Sequence, residues 1–267
     1  MSKSEYFDGV KKIKYDDLQN SEFCAWFFAE CSRLAYRGRI KGGKEFRRIG
    51  FTTYNFYSVE GAQVHIAKNS DTIIIAFRGT EPKQFSDIKA DLMAWKKRSR
   101  SVGQVHAGFR GEVDKLWADI RVSLGRKGSR DIYVCGHSLG GAMATILSQR
   151  LEYKGGYDID TLYTYGSPRA GGPKFRAWCD KHLNHQRFVN NNDVVPCVPS
   201  WFRWRHTGKC LYIKSTGEVT ELARWSSERI RDKGWSLLGA IFKGRFDIVA
   251  DHNIQDYIDA LEADLKQ

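Results

Sequence analysis

A serine in the run Gly136-His137-Ser138-Leu139-Gly140-Gly141 stands between an apolar stretch, Asp131-Ile132-Tyr133-Val134-Cys135, and a helix-like one, Ala142-Met143-Ala144-Thr145-Ile146-Leu147. Where a strand, a sharp turn and a helix meet at a serine, the hydroxyl is exposed, and flanking glycines let strand and helix approach without Cβ clashes. This is the pattern of a nucleophile elbow, and its chemistry is attack on an acyl carbon. A hydroxyl is a weak nucleophile until a base takes its proton, and that base must be held in one tautomer by an acid. In a sheet that carries such an elbow the chain order is serine, acid, histidine. His65, His106 and His137 fall before the serine, which leaves His182, His185, His206 and His252. Asp193 follows the strand-like run Arg187-Phe188-Val189-Asn190, as the acid should, whereas Asp158, Asp160 and Asp180 do not. Of the histidines beyond it, His206 sits in an aromatic and basic loop. His252 stands just before the last helical stretch and is the better general base.

These side chains need elements that converge. Ser21 to Tyr36 has the helical spacing of Phe23, Trp26, Phe27, Cys31 and Leu34 behind a cap at Asn20 or Ser21. Phe51 to Val59 and Ala62 to Lys68 read as strands joined by a glycine-containing turn, and Thr72 to Phe77 as a buried strand. A helix from about Gly108 to Leu124 precedes the elbow strand and the long helix Ser138 to Glu152. A strand at Thr161 to Tyr165, a helix near Lys174 to His182 and a strand at Arg187 to Asn190 continue the alternation. A hairpin over Leu211 to Val219, a helix-like segment around Trp225 to Phe242 and a last helix from about Asn253 to Leu265 complete the chain. Strands alternating with helices imply an α/β fold, with a mostly parallel sheet covered on both faces and ligands at the strand C-terminal ends. Ser138 and Asp193 both fall there.

The 267 residues, 42% of them apolar, suffice for one domain over 1–267, and no linker or repeat divides them. No apolar stretch approaches the ~20 residues of a membrane-spanning helix, so a soluble protein is expected. The N-terminus lacks the apolar run of a secretory signal, which suggests a cytoplasmic protein or a secreted one without its signal. Six cysteines without C-x-x-C spacing argue against a zinc or redox motif and for buried thiols, disulfides remaining open if the chain is exported. The formal charge of +12 and basic clusters at Arg37 to Arg48, Lys96 to Arg100 and Arg203 to Lys209 raise a nucleic-acid reading. No nucleic-acid motif accompanies them. A basic exterior suits an anionic lipid surface or simple solubility as well.

Six ordered signatures resemble those of the class 3 lipases, the fungal-lipase-like α/β hydrolases. They are Phe77-Arg78-Gly79-Thr80, Val105-His106-Ala107-Gly108-Phe109, the elbow, Tyr165-Gly166-Ser167-Pro168-Arg169, Asn192-Asp193-Val194-Val195-Pro196 and Asp251-His252, spread over about Thr72 to Leu261. The resemblance implies an α/β-hydrolase fold with Ser138 as nucleophile, Asp193 as acid and His252 as base. It also implies an oxyanion hole from the Leu139 N–H and from Thr80, and a reaction that needs no metal or cofactor. Arg78 and His106 read as structural.

In these lipases the stretch after the first signature forms a lid, here about residues 81–100. Phe85, Ile88, Leu92 and Trp95 recur there at helical spacing among charges, consistent with an amphipathic lid or with an ordinary surface helix. The apolar run from Gly234 to Phe242, flanked by arginines and lysines, is open between a membrane-docking segment, the lining of an acyl channel and packing beneath His252. The expected activity is carboxylic-ester hydrolysis, foremost triacylglycerol hydrolysis at a lipid–water interface, with lipid or another ester as substrate and no nucleic-acid or protein partner. A soluble esterase such as a feruloyl esterase, a phospholipase and a non-catalytic lipid-binding module are the rivals.

Overall fold

A computed structural model describes residues 6–79, 96–126, 128–191, 193–199, 203–222 and 252–266. Thr80, most of the lid segment, Asn192, the apolar run Gly234 to Phe242 and Asp251 lie outside the described residues.

The chain opens with helix α1 (Ser21–Leu34), whose first turn is capped by the Asn20 side chain accepting the Phe23 N–H at 2.8 Å. Helix α2 (Arg39–Arg48) follows, an element that Gly42 and Gly43 conceal in the sequence. Strands β1 (Thr53–Val59), β2 (Ala62–Lys68) and β3 (Thr72–Phe77) pair antiparallel in succession. From β3 the sheet turns parallel through β6 (Asp131–His137), β7 (Thr161–Tyr165), β8 (His185–Asn190) and β9 (Lys209–Ile213), and β10 (Val219–Leu222) closes it antiparallel. The order is β1-β2-β3-β6-β7-β8-β9-β10. Helices α3 (Ala107–Leu124), α4 (Leu139–Arg150), α5 (Pro173–His182) and α6 (Ile254–Leu265) complete the covering.

Period-two alternation shows why both faces must be covered. On β3 and β6, Ile74, Ala76, Tyr133 and Cys135 join a core with Phe27, Phe28 and Tyr257 from α1 and α6. Their neighbours Ile73, Ile75, Phe77, Ile132 and Val134 join a second core with Val113, Leu116, Ile146 and Phe175 from α3, α4 and α5. The two cores clamp the sheet, and the strand C-terminal ends emerge along one edge.

Three expectations need correction. The end of the expected lid, Lys96–Arg98, is strand β4, paired antiparallel with β5 (Gln104–His106). Its loop is tied down by Gln149 of α4, whose side-chain oxygen accepts from both Ser99 and Ser101, so this part is anchored to the core. The helix expected from Ser138 begins at Leu139 and ends at Arg150, where Leu151–Gly155 widens into a π turn. Finally, β6 runs on through Gly136 and His137, two residues past its apolar run. Cys24, Cys31, Cys135, Cys179 and Cys210 are buried free thiols. No described helix is long and apolar enough to cross a membrane.

Candidate active site

Ser138 sits between β6 and α4 with φ +58° and ψ −132°, a conformation that costs a side-chain-bearing residue about 1–3 kcal/mol. Close approach of the neighbouring elements holds it there. A Cβ on Gly136 would collide with the Gly140 carbonyl, and one on Gly140 would lie 2.6 Å from the Phe77 carbonyl oxygen at the end of β3. The Ser138 N–H donates to the Tyr165 carbonyl at 2.9 Å, tying the turn to the end of β7. The serine is buried, and its Oγ makes no hydrogen bond among the described residues.

Asp193 and His252 meet although 59 positions separate them: His252 Nδ1 and Asp193 Oδ2 are 2.8 Å apart, both residues buried. The carboxylate is fixed from three further sides. Its Oδ1 accepts the Val195 N–H at 2.9 Å, an Asx-type turn after β8. Its Oδ2 accepts the Tyr257 hydroxyl at 2.5 Å, and that hydroxyl in turn accepts the Asn190 N–H at 3.0 Å. Burial, reinforced by the negative charge of Asp193, pushes the Tyr257 phenol well above its ordinary value, so it remains a donor. On the fourth side lies Gly166, at φ +58°, where a Cβ would come within 2.6 Å of Asp193 Oδ2 and 2.8 Å of His252 Cε1.

The elbow and the acid–histidine pair are joined through His137. Its ring stacks on that of His252 with centroids 4.5 Å apart, and its Nδ1 is 2.8 Å from the hydroxyl of Tyr36, just past α1. Burial, with the neighbouring His252 imidazole adding to it, holds His137 far below the usual imidazole range and therefore neutral. Gly79 completes this wall: its position allows a Cβ no space from the Tyr36 hydroxyl or from the His137 carbonyl oxygen at 2.6 Å. The end of β3 thus lies directly against the elbow.

Of the residues singled out by sequence, Ser138, Leu139, Asp193 and His252 are described at this end of the sheet, and Thr80 lies outside the described residues. His206 is directed elsewhere, its Nε2 2.7 Å from the Pro196 carbonyl. Arg78 holds Gln63 at 2.8 Å, and His106 stacks on Phe109 with centroids 4.3 Å apart. Tyr257, Gly166, His137 and Tyr36 were not legible as site residues, although Gly166 and His137 lie within the matched signatures. Among the described residues, no cluster of His, Cys, Asp and Glu is arranged to hold a metal ion.

A sheet of this order, with a strained serine at a strand-to-helix turn and an acid after a later strand, defines an α/β hydrolase. Comparison with known proteins narrows the class. The sequence pattern described as Lipase (class 3) matches residues 74–203. Secreted mono- and diacylglycerol lipase MDL3 of Malassezia globosa is 30% identical over 208 residues, 70% of this chain and 68% of that protein. Toxin TseL of Vibrio cholerae is 38% identical over 98 residues, 36% of this chain, and the match spans 15% of the toxin's length. Lipase II from Rhizopus niveus has the same fold, with a TM-score of 0.61 at 22% identity, covering 89% of this chain and 91% of that one. The chain belongs to the class 3 lipase family.

Proposed function

We propose that this protein hydrolyses carboxylic esters of acylglycerols through an acyl-enzyme on Ser138. The observation that carries the reading is the buried Asp193–His252 pair, 2.8 Å apart, joined by the His137 stack to a serine held at positive φ. In this reading Ser138 Oγ attacks the ester carbonyl while His252 takes its proton at Nε2. Asp193 accepts Nδ1–H, which fixes the tautomer and stabilises the imidazolium that forms. The proton then passes to the departing alcohol, and water activated by His252 releases the acid. The oxyanion would be held by the Leu139 N–H, at the first turn of α4 where the helix dipole favours negative charge. Thr80, the residue after Gly79, is assigned as the second donor from the family pattern and the contact of Gly79 with the elbow. Each such donor is worth about 2.7–4 kcal/mol in comparable sites. Acylglycerols are favoured as substrates by the family and by the mono- and diacylglycerol lipase of Malassezia globosa to which the chain is similar.

The test is hydrolysis of an emulsified long-chain glyceride and a soluble short ester by parent and Ser138→Ala. We expect the substitution to lower kcat on both by about a thousandfold or more and to abolish labelling by a fluorophosphonate. Retention of either activity within tenfold of the parent would overturn the assignment.

A further inference from the structure

Helix α2 carries charge that its own stability does not explain. Between Arg37 and Arg48 stand six cations, Arg37, Arg39, Lys41, Lys44, Arg47 and Arg48, against the one carboxylate of Glu45. Lys41 and Arg48 are spent on that carboxylate, at 2.8 Å and 3.0 Å, and Arg37 donates to the Tyr6 hydroxyl at 2.6 Å. Arg39, Lys44 and Arg47 remain exposed, with no ion pair among the described residues, the Arg47 guanidinium lying 6.0 Å from the centre of the Tyr54 ring. The first turn holds no acid and its cap is a glycine, so Arg39 and Lys41 face the positive end of the helix dipole. Arg39 and Lys41 thus stand at the end of the helix that disfavours cations, while Arg47 and Arg48 lie in the last turn, where the dipole favours them.

One face of this helix has an additional character. Ile40, Lys44 and Arg47 recur at i, i+4 and i+7, and Ile40 is 89% exposed, an aliphatic side chain set among guanidinium and ammonium groups. The opposite face is seated hard on the sheet, since a Cβ on Gly42 would lie 2.5 Å from the Tyr54 hydroxyl and 2.6 Å from His65 Nδ1. The helix starts three residues beyond Tyr36, which touches His137 at the candidate active site. It is a rigid, basic, partly apolar ledge beside that site.

We propose that this ledge is a docking face for an anionic phospholipid surface. Arg39, Lys44 and Arg47 engage headgroup phosphates, and Ile40 enters the interface between them. Cations near an anionic leaflet each strengthen binding by about fivefold, and an apolar side chain at the interface adds to it. Binding is independent of the ester-hydrolase reading, and only the consequence, that docking brings lipid to Ser138, rests on it.

The experiment is co-sedimentation of full-length Ser138→Ala protein with vesicles of phosphatidylcholine alone and of phosphatidylcholine mixed with phosphatidylglycerol. Binding to the mixed vesicles only, weakened by salt, is expected. The triple variant Arg39→Glu, Lys44→Glu, Arg47→Glu should bind them at least about a hundredfold more weakly, and Ile40→Ser about tenfold more weakly. Built on the parent, the triple variant should hydrolyse a soluble short ester at the parent's rate, which separates a docking defect from a failed fold. Equal binding by the triple variant, or equal binding of the Ser138→Ala protein to neutral vesicles, would overturn the proposal. So would preference for a short DNA duplex over the mixed vesicles, lost in the same variant. Absence of ester hydrolysis in the parent would strike the catalytic reading and leave the docking result standing.

Discussion

The two ends of strand β8 hold buried histidines in opposite circumstances. At its start, His185 lies between two hydroxyls, with Nε2 2.9 Å from Thr164 Oγ1 and Nδ1 2.8 Å from Thr207 Oγ1. Burial, helped by the positive charge of Arg187, brings its pKa down to about 3. Just past the other end, Asp193 presents a carboxylate to His252, a histidine equally buried. Hydroxyls satisfy a neutral imidazole but bring no charge to offset a cation, whereas a carboxylate makes the protonated form tolerable in the same low dielectric. His65, against the Tyr54 hydroxyl and lowered to about 4 by burial, repeats the first arrangement. Burial makes a histidine inert, and its partner decides whether it can carry a proton.

Asp193→Asn breaks the comparison most severely, because it gives His252 a neutral partner like those of His185. Under the proposed mechanism kcat should fall about ten-thousandfold, the loss seen when the acid of a comparable triad is neutralised. Steady-state kinetics on a soluble ester, with circular dichroism to establish the fold, would decide; a loss under tenfold would mean that Asp193 does not serve the base.

A finer change is Tyr257→Phe. It removes one of two donors to the same oxygen, which leaves Asp193 Oδ2 a stronger acceptor for the His252 imidazolium. The acid limb of the kcat/KM profile should move to higher pH, with a rate loss of about tenfold. A profile that stays in place would reduce Tyr257 to a packing residue.

The smallest effect belongs to His185→Gln, which should leave kcat unchanged and alter only the response of stability to acid. The folded pKa of about 3 lies below the ordinary 6.5, so the unfolded chain binds the proton more readily. The His185 contribution is therefore complete above pH 6.5 and is lost as pH falls from there toward about 3, at about 1.4 kcal/mol for each unit of separation. Urea midpoints at neutral and acid pH should converge in the variant relative to the parent. An unchanged acid slope would refute this account of the threonine-flanked site.

What could be read without coordinates was what depends on local pattern. Strands β1, β2, β3 and β7 follow from runs of apolar and branched residues, and the elbow follows from glycines at fixed spacing. Asp193 and His252 could be picked because chain order restricts the candidates. Helix α2 was hidden by tertiary demand: Gly42 and Gly43 each lower helix propensity by about 1 kcal/mol, and they are present because Tyr54 and His65 press against them. Tyr257 was legible as a helical core residue, but its bond to Asp193 spans 64 positions and leaves no local trace. Gly166 was visible as a glycine, yet its reason, the space needed by a carboxylate and an imidazole from two later elements, exists only in three dimensions.

The backbone at Ser138 also bears on how such a chain would drift. Its dihedral angles belong to glycine's territory, and serine occupies them against its own preference. In a lineage released from the need for that hydroxyl, Ser138→Gly would relieve the backbone strain, set against the small void left by a fully buried side chain. Under the proposed mechanism, serine here gives up backbone ease for a reactive hydroxyl, and Ser138→Gly in a descendant would end the reaction while the rest of the fold stood intact.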